Sequence, residues 1–176
     1  VILATIPAGI FGILFESDVE NYVRNSYELI SIVLITVGFI FFFIKERGSR
    51  YLEEMNWNSA LLIGFSQALA LIPGVSRSGI TLIVALLLGF RREDAVFFSF
   101  LLSITTIGGA LVKGLMEISS AGLFSWSTVL PGFITAFISG LIACFLLLRI
   151  VQNKELKPFG YYRIIFGVIC LIYFLT

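Results

Sequence analysis

The stretch Ile72–Thr81, IPGVSRSGIT, lies between two of the most apolar runs of the chain, LLIGFSQALAL and LIVALLLGF. It combines one guanidinium and three hydroxyls with a proline and two glycines, residue types that disfavour a helix interior. The apolar runs around it, 59–72 and 80–90, have 14 and 11 residues, whereas a membrane-spanning helix needs about 20. We therefore expect two half-helices around a turn, forming a re-entrant hairpin over residues 59–90.

The composition is that of an integral membrane protein. Of the 176 residues, 59% are hydrophobic and 13% are charged, whereas soluble proteins carry about 25% charged residues. The formal charge of +1 offers no basic patch, which argues against a nucleic-acid partner. Histidine, the commonest general base, does not occur in the sequence. Cys144 and Cys170 stand far apart in apolar segments, and we interpret both as packing residues.

Further apolar segments flank the hairpin and predict membrane spans. Pro131 and Pro158 fall near the starts of two of them, where proline is tolerated. The first segment is short of the roughly 20 residues that a span needs, so we expect the chain to begin part-way through a helix of a longer protein. The fold predicted is an all-α polytopic membrane protein with a single transmembrane domain over 1–176. Its predicted spans are 1–15 (truncated), 27–44, 95–112, 124–148 and 158–176.

The basic residues predict an orientation in the membrane. If the hairpin returns to its side of entry, only Arg24 and Lys113 fall on the opposite side. The positive-inside rule then makes the richer side cytoplasmic and puts the C-terminus outside. If residues 59–90 crossed as one helix, the basic loops would divide between the two faces, so the charge pattern favours the hairpin. The residues predicted to be cytoplasmic are Lys45, Arg47, Arg50, Arg91, Arg92, Arg149, Lys154, Lys157 and Arg163.

Arg77 is the basic residue that this pattern places at membrane depth. An arginine there costs at least about 2.5 kcal/mol on insertion scales, which makes it a candidate for a functional site with an anionic partner. No acidic residue occurs in the sequence between Glu54 and Glu93, so we expect the partner to be a ligand. A guanidinium binds phosphate bidentately, and a helix N-terminus favours an anion. The predicted chemistry is capture of a phosphate or pyrophosphate.

The neighbours of Arg77 offer further contacts to such a ligand. Three hydroxyls can donate hydrogen bonds, and the glycines allow a close approach of the backbone. Gln67, in the first half-helix, is either a further ligand contact or an interhelical hydrogen bond. The predicted site consists of Arg77, Ser76, Ser78 and Thr81, with substrate-binding contacts at Gly74, Gly79 and Gln67.

A purely structural interpretation of the same residues stays open. Serine and glycine pack helices closely, Pro73 could kink a single helix, and Arg77 could snorkel to an interface. Glu93 and Asp94 could be proposed as catalytic acids, but their position just before a span favours helix capping.

The segment FSQALALIPGVSRSGITL, followed by EDAVFFSFLLSI, resembles the bacterial undecaprenyl-diphosphatase family, also called bacitracin-resistance proteins. Every fixed position of that family's loop Pro-Gly-x-Ser-Arg-Ser-Gly-x-Thr is present here. The resemblance implies a multi-pass enzyme of the bacterial inner membrane that hydrolyses undecaprenyl pyrophosphate to the monophosphate. This reaction recycles the lipid carrier for peptidoglycan synthesis and confers bacitracin resistance. The resemblance also implies that Arg77 clamps the pyrophosphate and that Ser76, Ser78 and Thr81 line it.

The resemblance covers only the later part of the family's pattern. The family's other signature, a Glu-rich motif and a histidine after a Ser-rich turn, has no counterpart here. The two halves of such proteins are inverted repeats whose re-entrant loops meet, which implies that this chain holds one wall of the site. A divalent cation, Mg²⁺ or Ca²⁺, is implied with its expected ligands missing from this chain. We therefore expect the chain not to be active alone. Its partners would be a lipid pyrophosphate and membrane lipids, with a homodimer left open.

Two other functions remain open from the sequence. Broken helices with half-helix N-termini at mid-depth also form the sites of secondary transporters. A non-catalytic protein that binds polyprenyl phosphates would need the same anion contacts. Uptake without phosphate release would indicate the transporter, and binding without turnover would indicate the binding protein.

Overall fold

The structure is a computed structural model that describes residues 1–22, 26–44, 48–120, 126–153 and 156–175. These residues form α-helices joined by short connections and, within the described ranges, no strand longer than an isolated bridge. The predicted all-α class is confirmed. The helices are α1 (Ile2–Tyr22), α2 (Tyr27–Phe43), α3 (Trp57–Ala68), α4 (Arg77–Leu87), α5 (Arg92–Ser120), α6 (Trp126–Asn153) and α7 (Lys157–Leu175).

Three of the described helices, α5, α6 and α7, are long and apolar enough to cross a membrane. The apolar part of α1, Ile2–Phe15, and the 17-residue α2 are shorter. By length and hydropathy, these three helices can each cross a membrane. Crossing by α1 and α2 stays a prediction.

Several helices extend beyond the apolar segments that predicted them. Helix α1 continues to Tyr22, beyond the predicted span 1–15, and α5 continues to Ser120, beyond the predicted span 95–112. Hydropathy marks the part of a helix that fits the hydrocarbon layer, while the backbone hydrogen bonds can continue into the polar region. The predicted spans therefore cover only part of these helices.

The hairpin is formed by α3, a short 3₁₀ turn at Leu69–Leu71, and α4. Asn56 caps α3, because its Oδ1 accepts a hydrogen bond from the Ser59 amide at 2.8 Å. The two helices have 12 and 11 residues. They are thus about 18 and 16 Å long, far short of the roughly 30 Å hydrocarbon core. Neither half can cross the membrane by itself.

The chain leaves the hairpin where it entered it. The Arg50 amide, before α3, donates to the Gly89 carbonyl at 3.0 Å, and the Arg91 amide, after α4, donates to the Arg50 carbonyl at 2.9 Å. The Arg50 guanidinium lies 4.4 Å from the centre of the Phe90 ring and donates to the Leu88 carbonyl at 3.0 Å. These contacts close the mouth of the hairpin and hold its two ends together; its return to the side of entry in a membrane stays a prediction.

Protein surrounds the hairpin on several sides, whereas α6 is exposed. Ile63 of α3 and Leu86 of α4 are buried together with Leu102 of α5. Helix α1 approaches α3 so closely that a Cβ on Gly64 would lie 2.4 Å from the Ala4 carbonyl oxygen. By contrast, no residue in the most apolar part of α6 is buried. The core therefore encloses the short helices and leaves a long one for the bilayer.

Candidate functional site

The turn of the hairpin is fixed by glycine and pressed against α2. Gly74 has φ +94°, a conformation that side chains other than glycine's rarely adopt. A Cβ at this position would also lie 2.9 Å from the Ile30 carbonyl oxygen and 3.2 Å from Val33 Cγ1. Gly74 is therefore required both by its backbone conformation and by the close approach of α2.

The first turn of α4 distributes the motif over two faces. Ser76 caps the helix, since its Oγ accepts a hydrogen bond from the Gly79 amide at 3.1 Å. Successive helical residues point about 100° apart, so Arg77 projects away from its serine neighbours. Arg77 lines one cavity, the Arg77 cavity, while Ser76, Ser78 and Gly79 line another, the Arg163 cavity.

The Arg77 cavity encloses about 600 Å³ between α1, α3, α4 and α5. Small residues form much of its wall, and its polar side chains are Arg77, Gln67, Lys113, Thr5, Thr105 and Thr106. Thr5 Oγ1 and Thr105 Oγ1 lie 2.8 Å apart and tie α1 to α5. Among the side chains that line this cavity two are cationic, and none is a carboxylate. Its electrostatics favour an anion.

Gln67 is the most informative residue of this cavity. It is 3% exposed, and neither Oε1 nor Nε2 has a hydrogen-bond partner among the described residues. Buried polar groups in proteins almost always have a partner, and an unpaired one costs about 1–3 kcal/mol. Gln67 borders the Arg77 cavity, but both polar atoms of its amide are buried, so a contact with an occupant of that cavity stays a prediction, as does an interhelical hydrogen bond.

The Arg163 cavity is smaller, about 300 Å³, and mostly apolar. Phe41, Phe100 and Phe159 belong to its wall, and the serines of the turn supply polar groups. Arg163 extends from α7 and donates a hydrogen bond from Nη2 to the Gly74 carbonyl. Its Nε is buried and has no partner in the described part of the chain.

Arg163 makes a contact that the sequence did not predict. It was counted among the cytoplasmic flanking residues, and Arg77 was taken as the basic residue at membrane depth. The structure places Arg163 inside α7, six positions after Lys157, with its guanidinium at the hairpin turn. The sequence did carry the signal, because residues 158–176 were predicted as a span that contains Arg163.

Thr81 lies apart from both cavities. It is 1% exposed, its Oγ1 lies 2.7 Å from Ser99 Oγ, and it donates to the Arg77 carbonyl at 3.0 Å. Ser99 Oγ in turn donates to the Ser78 carbonyl at 3.1 Å. These bonds attach the first turn of α4 to α5. Thr81 thus supports the segment that carries Arg77 instead of lining a cavity.

The predicted site residues therefore fall in two cavities, with two residues outside both. Arg77 and Gln67 share one cavity, and Ser76, Ser78 and Gly79 share the other. Gly74 forms the turn, and Thr81 joins α4 to α5. The roles of these residues towards a substrate stay predictions.

Comparison with known proteins assigns the family. Residues 1–169 match the family described as bacitracin resistance protein BacA. The chain belongs to this family. It is 42% identical to an undecaprenyl-diphosphatase of Caldicellulosiruptor bescii over 181 residues, covering 99% of this chain and 67% of that protein. It is also 42% identical to the undecaprenyl-diphosphatase of Geotalea daltonii, covering 98% of this chain and 66% of that protein.

A third relative is undecaprenyl-diphosphatase 1 of Clostridioides difficile, at 39% identity over 99% of this chain and 65% of that protein. The chain thus spans about two thirds of the length of these curated relatives. The resemblance noted in the sequence is confirmed, and with it the assignment to a multi-pass bacterial membrane protein.

The described residues of this BacA-family chain do not fit a divalent cation. No group of three or more His, Cys, Asp or Glu side chains that could hold a metal occurs among them. Glu93 and Asp94 lie in the first turn of α5, where carboxylates favour the helix dipole, and neither lines a cavity. The Arg77 cavity carries two cations, Arg77 and Lys113, and no carboxylate, a charge balance that disfavours Mg²⁺ or Ca²⁺. We derive no step through such an ion.

Proposed function

We propose that the whole protein hydrolyses undecaprenyl pyrophosphate to undecaprenyl phosphate and inorganic phosphate, and that the Arg77 cavity holds the pyrophosphate. The observation that carries this proposal is the convergence of Arg77 and the buried, unpartnered Gln67 on one cavity beside the junction of two half-helices. The names of the relatives support the choice of substrate. Lipid-carrier recycling for peptidoglycan synthesis and resistance to bacitracin would follow from this activity.

The cavity contributes charge neutralisation and orientation. The guanidinium of Arg77 can donate two parallel hydrogen bonds to one phosphate, and the Gln67 Nε2 can donate a further one. Lys113 adds a second positive charge to the same wall. Charge that develops on the leaving phosphate is stabilised by such fixed donors, which act strongly where water is excluded.

Cleavage of a phosphoanhydride also needs an activated water or nucleophile and a proton for the leaving group. No carboxylate lines either cavity in the described part of the chain. We propose that these groups, and the ligands of any divalent cation, come from the part of the protein that the relatives have in addition. On this proposal the present chain binds the substrate without turning it over alone.

The exposed side chains of the protein indicate which molecules surround it. Large apolar side chains along α6 and α7 are exposed, Phe145 by 65% and Tyr173 by 74%, which suits contact with membrane lipids. A second copy of the chain could cover part of the same surface, and a homodimer stays a prediction. Neither cavity, nor the net charge of +1, favours a nucleic acid.

The test is phosphate release from undecaprenyl pyrophosphate by the purified full-length protein. Arg77→Ala should lower kcat/KM by about 10²- to 10³-fold or more, because it removes a donor to the developing charge. Arg77→Lys should recover little, since an ammonium cannot reproduce the planar fork. Arg91→Gln is a matched control, because Arg91 is 39% exposed and pairs with Glu93 at 3.2 Å outside both cavities. Near-normal activity of either Arg77 variant would contradict the proposal.

The same preparation distinguishes the competing functions. Reconstituted protein that binds the lipid without releasing phosphate would indicate a binding protein. Movement of the lipid phosphate across vesicles without cleavage would indicate a transporter.

A further inference from the structure

Arg163 is a second arginine within an apolar segment, and its position calls for an explanation. It lies within the spanning helix α7, between Tyr162 and Ile164, and is partly buried. A charged side chain in a span is costly, so such residues are retained where they make specific contacts. The contact observed is the hydrogen bond from Nη2 to the carbonyl of Gly74, 89 residues away in the chain.

The Gly74 peptide is held from both sides. On one side α2 leaves no room for a side chain at Gly74, since a Cβ would meet the Ile30 carbonyl and Val33. On the other side the Arg163 guanidinium donates a hydrogen bond to the Gly74 carbonyl oxygen. A carbonyl in the turn between two half-helices accepts no hydrogen bond from a helix backbone. At membrane depth it therefore needs another donor, such as this guanidinium.

The backbone of α7 around Arg163 packs closely against α2. A Cβ on Gly38 of α2 would lie 3.2 Å from Arg163 Cβ and 2.8 Å from Ile164 Cγ1. A Cβ on Gly160 of α7 would lie 2.9 Å from the Gly38 carbonyl oxygen. Glycines at these positions let the two helices approach to backbone contact. The base of the Arg163 side chain is therefore fixed where α2 and α7 meet.

We infer that Arg163 is a positioning residue that acts through the hairpin turn on Arg77. Gly74 and Arg77 are separated by only two residues, and Arg77 is the first residue of α4. Fixing the Gly74 carbonyl thus fixes the direction in which α4 begins, and with it the aim of Arg77 into its cavity. This inference rests on the proposed function, because it assigns Arg163 a part in the same reaction without contact to the substrate.

The two arginines should respond differently to lysine. Arg163 donates to one carbonyl oxygen, and the ammonium of a lysine can supply a single hydrogen bond of that kind. Arg77 is proposed to hold a phosphate with two parallel bonds, which a lysine cannot reproduce. Partial rescue by lysine at position 163, but not at position 77, is the signature of the inference.

The experiment compares Arg163→Met, Arg163→Lys and the control Ile165→Ala in the full-length protein, with rates normalised to folded protein from size-exclusion chromatography. Ile165 is on the same helix and 59% exposed. A misplaced catalytic group can cost about 10²-fold in rate. We therefore expect Arg163→Met to lower kcat by about 10- to 100-fold with KM changed less than about threefold. Arg163→Lys should retain kcat within about fivefold of the parent, and Ile165→Ala should match the parent.

The outcomes separate this inference from the proposed function. Parent-like kcat in Arg163→Met, or a lysine variant no better than methionine, would overturn the positioning role while the Arg77 result still stands. If Arg163→Met is not recovered folded, Arg163→Lys decides, and a loss of kcat beyond about tenfold in it overturns the inference. An active Arg77→Ala variant would instead overturn the proposed function.

Discussion

The α3–α4 hairpin and helix α6 are both strongly apolar, yet the structure treats them in opposite ways. The hairpin helices are short and enclosed, and they bury polar side chains that include Ser66, Gln67 and Thr81. Helix α6 has 28 residues, and none of the residues of its apolar part, Val129–Ile150, is buried. Its Thr135 hydroxyl donates only to α6 itself, to the Pro131 carbonyl at 2.9 Å. Hydropathy does not distinguish these two segments. The polar side chains that protein encloses in the hairpin do.

The difference has a simple physical origin. A continuous spanning helix satisfies its backbone hydrogen bonds within one segment, so its side chains can face lipid. A broken pair leaves unpaired N–H groups at the start of α4, of which Ser76 accepts one from Gly79. The remaining donors need protein or a bound anion at membrane depth. The broken helix is therefore the segment able to build a site.

The largest expected effect is on the stability of glycine-to-alanine variants in these two regions. Gly64→Ala should lower the free energy of unfolding by about 3 kcal/mol or more, because the new Cβ would overlap the backbone of Ala4. Gly140→Ala in α6 meets no atom within 4 Å and should be neutral, or stabilising by up to about 1 kcal/mol through helix propensity. Thermal denaturation of the two variants in detergent measures the difference. Equal midpoints would contradict the enclosed position of α3.

A smaller effect is expected at the threonines. Thr81→Val removes the buried contact to Ser99 and should cost about 1–2 kcal/mol of stability, whereas Thr135→Val on α6 should stay within about 0.5 kcal/mol. Denaturation midpoints and phosphate release should be measured on the same samples. If Thr81→Val keeps full stability and loses activity, Thr81 acts on the substrate and the structural role assigned to it is wrong.

The sequence predicted the parts of the molecule that depend on local composition. Proline and glycine at the turn, with flanking segments too short to span, indicated a helix–turn–helix, which the Arg50–Phe90 bridge closes in the structure; its re-entrant course in the membrane stays a prediction. The sequence also singled out Arg77 and Gln67, which the structure brings to one cavity.

The rest depends on contacts between distant residues. Thr81 belonged to the predicted site because its partner Ser99 lies 18 positions away on another helix. Ser78 was grouped with Arg77 because a linear motif does not show that neighbouring helical residues face different ways. Arg163 was missed as a site residue because the charge count treated it as a flanking residue, and only packing of α7 against α2 brings it to the turn.

On the proposed function, the phosphate of the lipid occupies the Arg77 cavity and not the Arg163 cavity. Single cysteines test it in full-length protein carrying Cys144→Ala and Cys170→Ala: Gly109→Cys in the Arg77 cavity and Ser78→Cys in the Arg163 cavity. A Cβ at Gly109 meets no atom within 4 Å, so the substitution fits. Undecaprenyl phosphate should slow modification by a water-soluble maleimide at position 109 and leave position 78 unchanged. Protection at position 78 alone would contradict the account.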